Sequence, residues 1–290
     1  MKKSLCTLLT AALFALALCS CRPPDVSNVL GMFERHGESM SQASQEFTPE
    51  QEFYLGRAVA ARLVSRYGAL EDPAANTYLN NVGQALAMRA RHVQNGYHFL
   101  LLNSPEVNAF AAPGGFIFVT TGMMSLVSGE SELAAVLAHE IAHVQNRDAI
   151  AAIQNARLTG ALTSLGKDAA GQYTPSVPGS QYLGVFSGAV DDVISTLVTK
   201  GYSRGQEYAA DAAAKGILSS AGYDPRALES VLQAMSKRVS PGSAGFGSTH
   251  PSAENRLDKL GASGTPLEKD TGARASRFQA AMSKYSRAAQ

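Results

Sequence analysis

The sequence predicts a mostly helical α+β fold with a small sheet. Trp is absent, Phe and Tyr make up only 7% of the 290 residues, and alanine is abundant, a composition that favours closely packed helices over a large β-sandwich. Several capped segments carry apolar residues at helical spacing, whereas only two short runs have the β-branched and aromatic content of strands. The hydrophobic share of 45% and the net charge of +1 fit a globular protein and argue against a nucleic-acid partner.

The N-terminal segment, residues 1–20, is typical of a secretory signal peptide. Lys2 and Lys3 precede an apolar run from Leu5 to Leu18 that is short for a membrane span, although a transmembrane anchor remains the alternative. The sequence therefore predicts export across the inner membrane.

The residues that follow predict a lipid anchor. Leu18-Cys19-Ser20-Cys21 resembles a bacterial lipobox, and Cys21, which follows a small residue, fits the lipidated position better than Cys19 does. All three cysteines lie in this N-terminal stretch, so the exported part would have no disulfide. Residues 21–46 predict a polar tether, and Arg22, by its likeness to sorting signals, favours delivery to the periplasmic face of the outer membrane.

The first predicted elements are two helices and two strands. Thr48-Pro49-Glu50-Gln51 is a capping-box start with proline at the first helical position, and apolar residues continue at helical spacing to Tyr67. Asp72-Pro73 starts a second helix, which extends to Leu86. Two short apolar runs then predict strands, residues 97–102 and residues 116–121.

The remaining predicted elements are helical. A long helix covers roughly residues 130–150, and helices are also predicted over residues 203–220, 224–238 and 271–287. Between them, glycines and prolines in residues 166–188 indicate a flexible, lid-like segment. The expected organisation is one domain over residues 47–262, followed by a C-terminal helix in residues 263–290.

The motif with the clearest chemistry is HExxH, at His139-Glu140-Ile141-Ala142-His143. Residues four apart on a helix lie about 40° from each other, so both imidazoles can face one metal ion. Glu140 lies beside them, where it can take a proton from an attacking water. The pattern predicts a zinc site with Glu140 as general base.

The surroundings of the motif support a buried site. Leu133, Leu137 and Val144 fall on one apolar stripe of the helix, Glu140 falls near its middle, and the opposite side is lined by small alanines. A carboxylate on an apolar face is costly without a partner, and a dication would supply one. The alternative, a solvated surface helix with incidental histidines, lacks a charged face that could meet water.

Two histidines do not complete a catalytic zinc site, which usually has three protein ligands and an open position. Glu207 is the best third candidate, because Glu207 and Asp211 share one face of a helix that is otherwise small and apolar. Asp211 would then accept the remaining N–H of a ligating histidine and fix its tautomer. The alternative is an ordinary exposed pair of acids.

Four motifs occur in a distinctive order: Asn108 to Gly115 before a predicted strand, the HExxH helix, Glu207-x-x-x-Asp211, and Thr249-His250-Pro251 with Arg256 behind it. In this order they resemble metallopeptidase family forty-eight, which includes HtpX and the CAAX prenyl proteases, and within it the soluble periplasmic branch typified by BepA and LoiP. The resemblance covers residues 47–260. It includes no counterpart of the membrane-spanning helices or the tetratricopeptide-repeat domain of those relatives, so contacts made through them are not carried over.

The resemblance implies a gluzincin fold in which His139, His143 and Glu207 bind one zinc ion. It also implies that residues 116–121 form the edge strand of the sheet and line the cleft in which an extended peptide lies. The residues that it implicates in substrate binding are Asn108, Gly115, Phe116, Phe118 and Arg256.

His250 is a second catalytic candidate, and two roles are open for it. By resemblance it can approach the zinc and hold a resting state, and its chemistry equally suits a donor to the tetrahedral oxyanion. Arg256 either assists that oxyanion or anchors the loop.

The expected reaction is the hydrolysis of peptide bonds in extended or misfolded polypeptides, by a zinc endopeptidase of cell-envelope quality control that has envelope assembly machinery among its partners. Two alternatives stay open. One is a latent, metal-stabilised, chaperone-like lipoprotein that binds without much cleavage, with the 166–188 segment as a lid. The other is a zinc amidase or esterase that acts on small envelope molecules, which the edge-strand platform disfavours.

Overall fold

The computed structural model describes residues 46–155, 181–240, 245–262 and 267–286. All but Asn155 of these residues belong to one compact unit, formed by Glu46–Gln154 and Pro178–Gln290. The predicted signal peptide, the tether with Cys21 and most of the predicted lid segment lie outside the described residues. None of the described helices has the length and apolar character that crossing a membrane requires.

Helices dominate the described residues, as the sequence predicts, and a small three-stranded sheet accompanies them. In chain order the helices are α1 (Pro49–Tyr67), α2 (Pro73–Ala87), α3 (Thr121–Met124), α4 (Glu130–Asn146), α5 (Gln181–Ser195), α6 (Arg204–Ser220), α7 (Arg226–Arg238), α8 (Phe246–Thr249), α9 (Ala253–Leu260) and α10 (Gly272–Met282). The strands are β1 (His98–Leu102), β2 (Ala109–Ala112) and β3 (Phe116–Thr120). A 3₁₀ turn at Pro113–Gly115 joins β2 to β3, and a π-helical turn at Thr196–Lys200 continues α5.

Several helix starts follow from local sequence signals. Thr48 and Gln51 form the predicted capping box of α1, and Ser203 and Gln206 form a second one at α6. Asp72 caps α2 through its side chain. Side chains thus satisfy backbone donors that the first turn of a helix leaves without partners.

The helix expected over residues 130–150 is interrupted. α4 ends at Asn146, Arg147 adopts a left-handed conformation with φ of 55°, and residues 148–155 are helical again. Nothing in the local sequence marks the break, because Arg147 is neither a glycine nor a proline, the residues that usually end a helix.

Part of the predicted flexible segment is helical. Residues 181–188 form the first half of α5, and the rest of that segment lies outside the described residues. A glycine weakens a helix by about 1 kcal/mol without forbidding it. Burial of Val190 and Val193 in the cluster that α5 shares with α1 supplies the compensating packing.

The strand order is β1-β3-β2, with β1 parallel and β2 antiparallel to β3. β3 is therefore the central strand, and the prediction that residues 116–121 form an edge strand is wrong. Phe118 in β3 pairs with Leu100 on one side and with Phe110 on the other. β2 forms the edge instead, although its sequence, Ala-Phe-Ala-Ala, lacks the β-branched residues that predict a strand.

The other edge of the sheet, β1, is covered by α2. Asn80 and Gln84 donate side-chain N–H groups to the carbonyls of Phe99 and Tyr97, in and just before β1, at 2.8 and 2.7 Å. Asn76 accepts a backbone N–H of β1 at 2.9 Å. These amides, spaced one helical turn apart, occupy the groups that an exposed edge would offer to another chain. β2 is therefore the edge at which a further strand would have to pair.

α4, which carries the HExxH motif, lies at the centre of the core. Every residue from Glu130 to His143 is buried. α4 packs most extensively against α6, and it also contacts α2, α7 and β2. The alternative of a solvated surface helix is therefore wrong.

The start of α4 is held by the C-terminal part of the chain. Asp270 accepts the backbone N–H of Ser131 at 2.8 Å and its hydroxyl at 2.5 Å, which is the role of a helix cap. Gly129 makes room for this contact, since a Cβ there would lie 2.6 Å from the Asp270 carboxylate. The fully buried carboxylate of Glu130 accepts N–H groups of Arg277 from α10. Residues beyond 263 thus anchor the central helix.

Replacing Asp270 with alanine is expected to lower the free energy of unfolding by about 1 kcal/mol, the usual contribution of a helix cap. The N–H of Ser131 would lose its acceptor in a buried place. Urea unfolding followed by circular dichroism measures the change. Asp258→Ala, at an exposed position, is the control and should stay within about 0.5 kcal/mol of wild type. Equal stability of Asp270→Ala and wild type would contradict the capping role.

Candidate metal centre

Four buried side chains meet at one point of the described structure: His139, His143, Glu207 and His250. One ligand atom from each lies within 4.8 Å of the others. The Nε2 atoms of His139 and His143 are 3.0 Å apart, and Glu207 Oε1 is 3.4 Å from His143 Nε2 and 2.7 Å from His250 Nδ1. The structure thus brings together the three residues that the sequence predicts as zinc ligands, and it adds His250 to them.

Three elements supply these side chains. One turn of α4 separates His139 from His143, so both rings emerge on the same side of the helix. Glu207 lies in the first turn of α6, and His250 follows the short helix α8. α4 and α6 can approach closely because both carry fully buried alanines, Ala134, Ala138, Ala142, Ala210 and Ala214.

The chemistry of the cluster fits a zinc ion. Imidazole nitrogens and a carboxylate oxygen are the ligands that zinc takes in many catalytic sites. Glu207 Oε2 and Glu140 Oε1 are buried and have no hydrogen-bond partner among the described residues. Such orphaned acceptors are costly unless a cation or a water meets them. An ion next to the two Nε2 atoms would satisfy these nitrogens as well.

Each motif histidine has a carboxylate at its other ring nitrogen. Asp211 Oδ1 lies 3.0 Å from His139 Nδ1, so Asp211 is placed for the tautomer-fixing role that the sequence predicts. Asp148 Oδ2 lies 2.7 Å from His143 Nδ1, a contact that no periodicity predicts because the helix breaks in between. A carboxylate in this place accepts the Nδ1 proton and leaves Nε2 free to bind a metal.

The neighbours of the two histidines shift their pKa values in opposite directions. Burial and the nearby charge of Arg256 lower the pKa of His139 to about 4. Burial also opposes the charged form of His143, but its hydrogen bond to Asp148 and the other carboxylates around it together prevail and raise its pKa to about 10. Burial raises the pKa of Glu140 to about 7. A carboxyl group with that pKa can accept a proton and return it near neutral pH.

Arg256 is buried beside the cluster. Its guanidinium donates to both carboxylate oxygens of Asp211, at 2.9 and 2.5 Å, and lies 3.6 Å from Glu207 Oε2. It also lies over the ring of Phe246, which belongs to the same loop region as His250. Of the two roles open for Arg256, these contacts favour anchoring, and a part in substrate binding stays a prediction.

The other residues predicted to bind substrate make contacts within the fold. Asn108 is buried, and its side-chain oxygen accepts the N–H of Ala109 at 2.9 Å. Gly115 has φ of 95°, and a Cβ there would lie 2.4 Å from a carbonyl oxygen of a neighbouring loop. Phe116 and Phe118 lie on the central strand β3. A substrate contact of these four residues stays a prediction.

The outer edge of β2 lies beside the candidate general base. Thr120 donates its N–H to the carbonyl of Asn108 at 3.1 Å. In an antiparallel pair of strands, every second residue bonds to the partner strand, so the backbone groups of Ala109 and Ala111 point away from β3. These two alanines line a small cavity of about 10 Å³ together with Glu140. The outer backbone groups at this cavity therefore belong to β2, which lies in the Asn108-to-Gly115 motif but is not predicted as a strand, and two of these groups are hydrogen-bonded within the fold.

Tyr202 closes this edge. Its hydroxyl donates to the carbonyl of Ala111 at 3.3 Å, and its ring stacks on His143 with the ring centroids 4.4 Å apart. Gly201 before it has φ of 73°, and a Cβ there would lie 2.0 Å from the carbonyl oxygen of Thr249. All four residues of β2 are at most 2% exposed. No sequence pattern marks Tyr202, because it lies in a short connection between two helices.

Known proteins are similar to this chain in sequence. The family described as Peptidase family M48 matches residues 73–263. The beta-barrel assembly-enhancing proteases of Yersinia pestis and Escherichia coli are 30% and 29% identical over 75% and 71% of this chain, which spans only 44% and 42% of their length. A protease HtpX homolog of Aquifex aeolicus is 30% identical, with 68% of this chain and 76% of the relative covered. Since the family match contains all four converging residues, this chain belongs to peptidase family M48.

Proposed function

We propose that this chain is a zinc-dependent endopeptidase that hydrolyses peptide bonds of extended or misfolded polypeptides. The observation that carries the proposal is the meeting of His139, His143 and Glu207 at one point, with an orphaned carboxylate oxygen of Glu140 next to them in the motif. In a chain of a peptidase family, these are the parts that metal-assisted hydrolysis requires.

The position of each residue indicates its role in the proposed reaction. His139, His143 and Glu207 would hold the metal, with His250 as a fourth partner that can be displaced. Zinc, when bound there, supplies a Lewis acid for the peptide carbonyl and lowers the pKa of water. Glu140 would accept the proton of the attacking water and return it to the leaving amine, a task that suits its pKa of about 7.

The edge of β2 supports a polypeptide as the substrate. Once the hydrogen bonds of Ala109 with Asn108 and of Ala111 with Tyr202 open, the outward backbone groups of these alanines can pair with those of an extended chain, which gives binding without a demand on sequence. Folded proteins protect their strand edges, whereas misfolded chains offer unpaired backbone. A small amide or ester would have no use for such a platform.

The contacts that close the edge of β2 support an enzyme that has a closed resting state. Tyr202 occupies the carbonyl of Ala111, and His250 lies 2.7 Å from Glu207 while its ring stacks on Phe246 at 3.8 Å. A substrate must displace these contacts before it can pair with β2. The same closure supports the second candidate function, a metal-stabilised, chaperone-like protein that cleaves little.

The cellular setting is proposed from the N-terminal sequence and from the relatives. The predicted signal peptide and the lipid anchor at Cys21 would place the chain in the periplasm, attached to the outer membrane. Two relatives bear the name beta-barrel assembly-enhancing protease, which supports a role in protein quality control beside β-barrel assembly in the envelope.

The decisive experiment is cleavage of unfolded casein by the purified full-length chain. The chain is assayed as purified, after removal of metal by a chelator, and after zinc is added back. Cleavage that the chelator abolishes and zinc restores supports the endopeptidase. Binding of casein without cleavage in all three samples would establish the chaperone-like alternative, and hydrolysis of small amides or esters alone would overturn both.

Replacing Tyr202 with phenylalanine is expected to raise kcat/KM for casein-derived peptides about two- to tenfold, because a substrate would no longer compete with the phenol hydrogen bond to Ala111. Steady-state peptide cleavage measures the change. Tyr208→Phe, on α6, is the matched control and should leave kcat/KM unchanged. A fall in kcat/KM at equal zinc content would contradict this role and assign the phenol to the reaction itself.

A further inference from the structure

The break after α4 is held in a costly conformation. Among the described residues, Arg147 is the one non-glycine residue with positive φ, at 55°. A side chain with a Cβ is disfavoured there, so the surrounding structure must hold the turn in place, and such outliers cluster at functional sites.

Contacts on both sides fix the turn. The guanidinium of Arg147 donates to the carbonyl of Phe47 at 3.0 Å and forms an ion pair with Glu52 of α1. Its N–H bonds to the carbonyl of Val144 at 3.0 Å, and its own carbonyl accepts the N–H of Ala151 at 3.0 Å as the next helical segment begins. The left-handed residue is thus part of a defined junction between two helices.

The turn brings Asp148 back onto the metal motif. In an unbroken helix, a residue five positions after His143 would lie about 7.5 Å further along the axis and about 140° around it, beyond reach of the ring. With the turn, Asp148 Oδ2 lies 2.7 Å from His143 Nδ1, and Asp148 is only 4% exposed. The left-handed turn at Arg147 therefore places a buried carboxylate on a motif histidine.

The second oxygen of this carboxylate reaches the other ligand-bearing helix. Gln206 Nε2 donates to Asp148 Oδ1 at 3.1 Å and to the backbone carbonyl of Asp148 at 3.2 Å. Gln206 is itself fixed, because its Oε1 accepts the N–H of Ser203 at 3.0 Å in the capping box of α6. Glu207 is the next residue along the chain. One network therefore links the ring of His143 to the backbone that carries Glu207.

We propose that Asp148 is a positioning residue of the metal centre, that Gln206 ties it to α6, and that the left-handed turn at Arg147 exists to place it. Asp148 accepts the Nδ1 proton of His143, which fixes the tautomer with Nε2 towards the metal and holds the ring plane. Gln206 couples this orientation to Glu207, so two ligands from two helices are set by one carboxylate. The inference rests on the proposed zinc site.

Zinc affinity tests the proposal independently of proteolysis. Asp148→Ala is expected to weaken zinc binding about 10- to 100-fold in competition with a chromophoric chelator, the usual effect of removing a partner from a ligating histidine. Gln206→Ala should weaken it in the same direction by a smaller factor. Asp191→Ala, at a position whose side chain is 69% exposed, is the matched control and should bind zinc like wild type.

A second readout reports the tautomer directly. In zinc-loaded wild type, the Nδ1–H of His143 should give a slowly exchanging proton signal in nitrogen-correlated spectra, and Asp148→Ala should lose it. Asp148→Asn, which keeps the shape of the side chain, covers the case in which the alanine variant fails to fold, and it should still lose zinc affinity. Circular dichroism of the metal-free variants checks the fold.

The turn is tested by a pair of substitutions at one position. Arg147→Gly and Arg147→Val both remove the contacts with Phe47 and Glu52, but only glycine accepts positive φ without strain. Zinc affinity should stay closer to wild type in Arg147→Gly than in Arg147→Val. Wild-type affinity and an unchanged Nδ1–H signal in the Asp148 variants would overturn this inference alone. Failure of the wild-type chain to bind zinc would overturn the proposed function as well.

Discussion

Replacing Glu140 with glutamine is expected to reduce casein cleavage by roughly two to four orders of magnitude while zinc stays bound. Glutamine has nearly the same shape as glutamate, so the buried site accommodates it, but an amide cannot accept the proton of the attacking water. Glu140 is not one of the four residues whose ligand atoms converge, so the metal donors are unchanged. Steady-state kcat and zinc per chain, measured on the same sample, separate the two effects.

The control for this experiment is Glu71→Gln, an equal change of charge at an exposed position, which should leave kcat and zinc content unchanged. A Glu140→Gln variant that cleaves casein at the wild-type rate would remove Glu140 from proton transfer. Loss of zinc together with activity would assign Glu140 to the metal instead.

Replacing Glu207 with alanine is expected to weaken zinc binding more than about 100-fold, beyond the range seen when only the partner of a ligand is removed. Its two carboxylate oxygens lie 3.4 and 3.6 Å from the Nε2 atoms of His143 and His139, so the variant loses the one acid among the converging residues. Peptidase activity should disappear at ordinary zinc concentrations. Chelator competition and metal analysis of the purified variant measure the loss.

Two further variants make this result specific. Glu207→Gln keeps the volume of the side chain, so a similar loss of zinc in that variant excludes a packing defect as the cause. Glu254→Ala, at an exposed position in α9, should bind zinc like wild type. Zinc content of Glu207→Ala equal to wild type would refute the predicted ligand set.

The helices are largely predictable from the sequence because capping and amphipathic spacing are short-range effects. Thr48 and Asp72 mark the starts of α1 and α2 within their own first turns. The sheet order is not predictable in this way, since strand neighbours are chosen by segments that meet only in the fold. The resemblance implies that residues 116–121 form an edge strand. In the structure these residues form the central strand, and the alanine-rich β2 lies at the edge.

The residues of the candidate site are likewise only partly predictable from the sequence. His139 and His143, and likewise Glu207 and Asp211, are pairs on one helix face, so their spacing alone indicates a shared target. Asp148 and Tyr202 have no such spacing, because each is brought to the site by an irregular connection. Their contacts depend on the turn at Arg147 and on the positive φ of Gly201, which no period in the sequence encodes.

The cap on α4 has a consequence for the order in which the protein matures. Asp270 follows Ser131 by 139 positions, and Arg277 follows Glu130 by 147. In a chain that leaves the ribosome N-terminus first, the start of the HExxH helix gains this cap and the partner of Glu130 only after the late segment has emerged. Nascent or stalled chains would therefore hold the first turn of α4 less firmly than chains in which residues 270–277 have emerged.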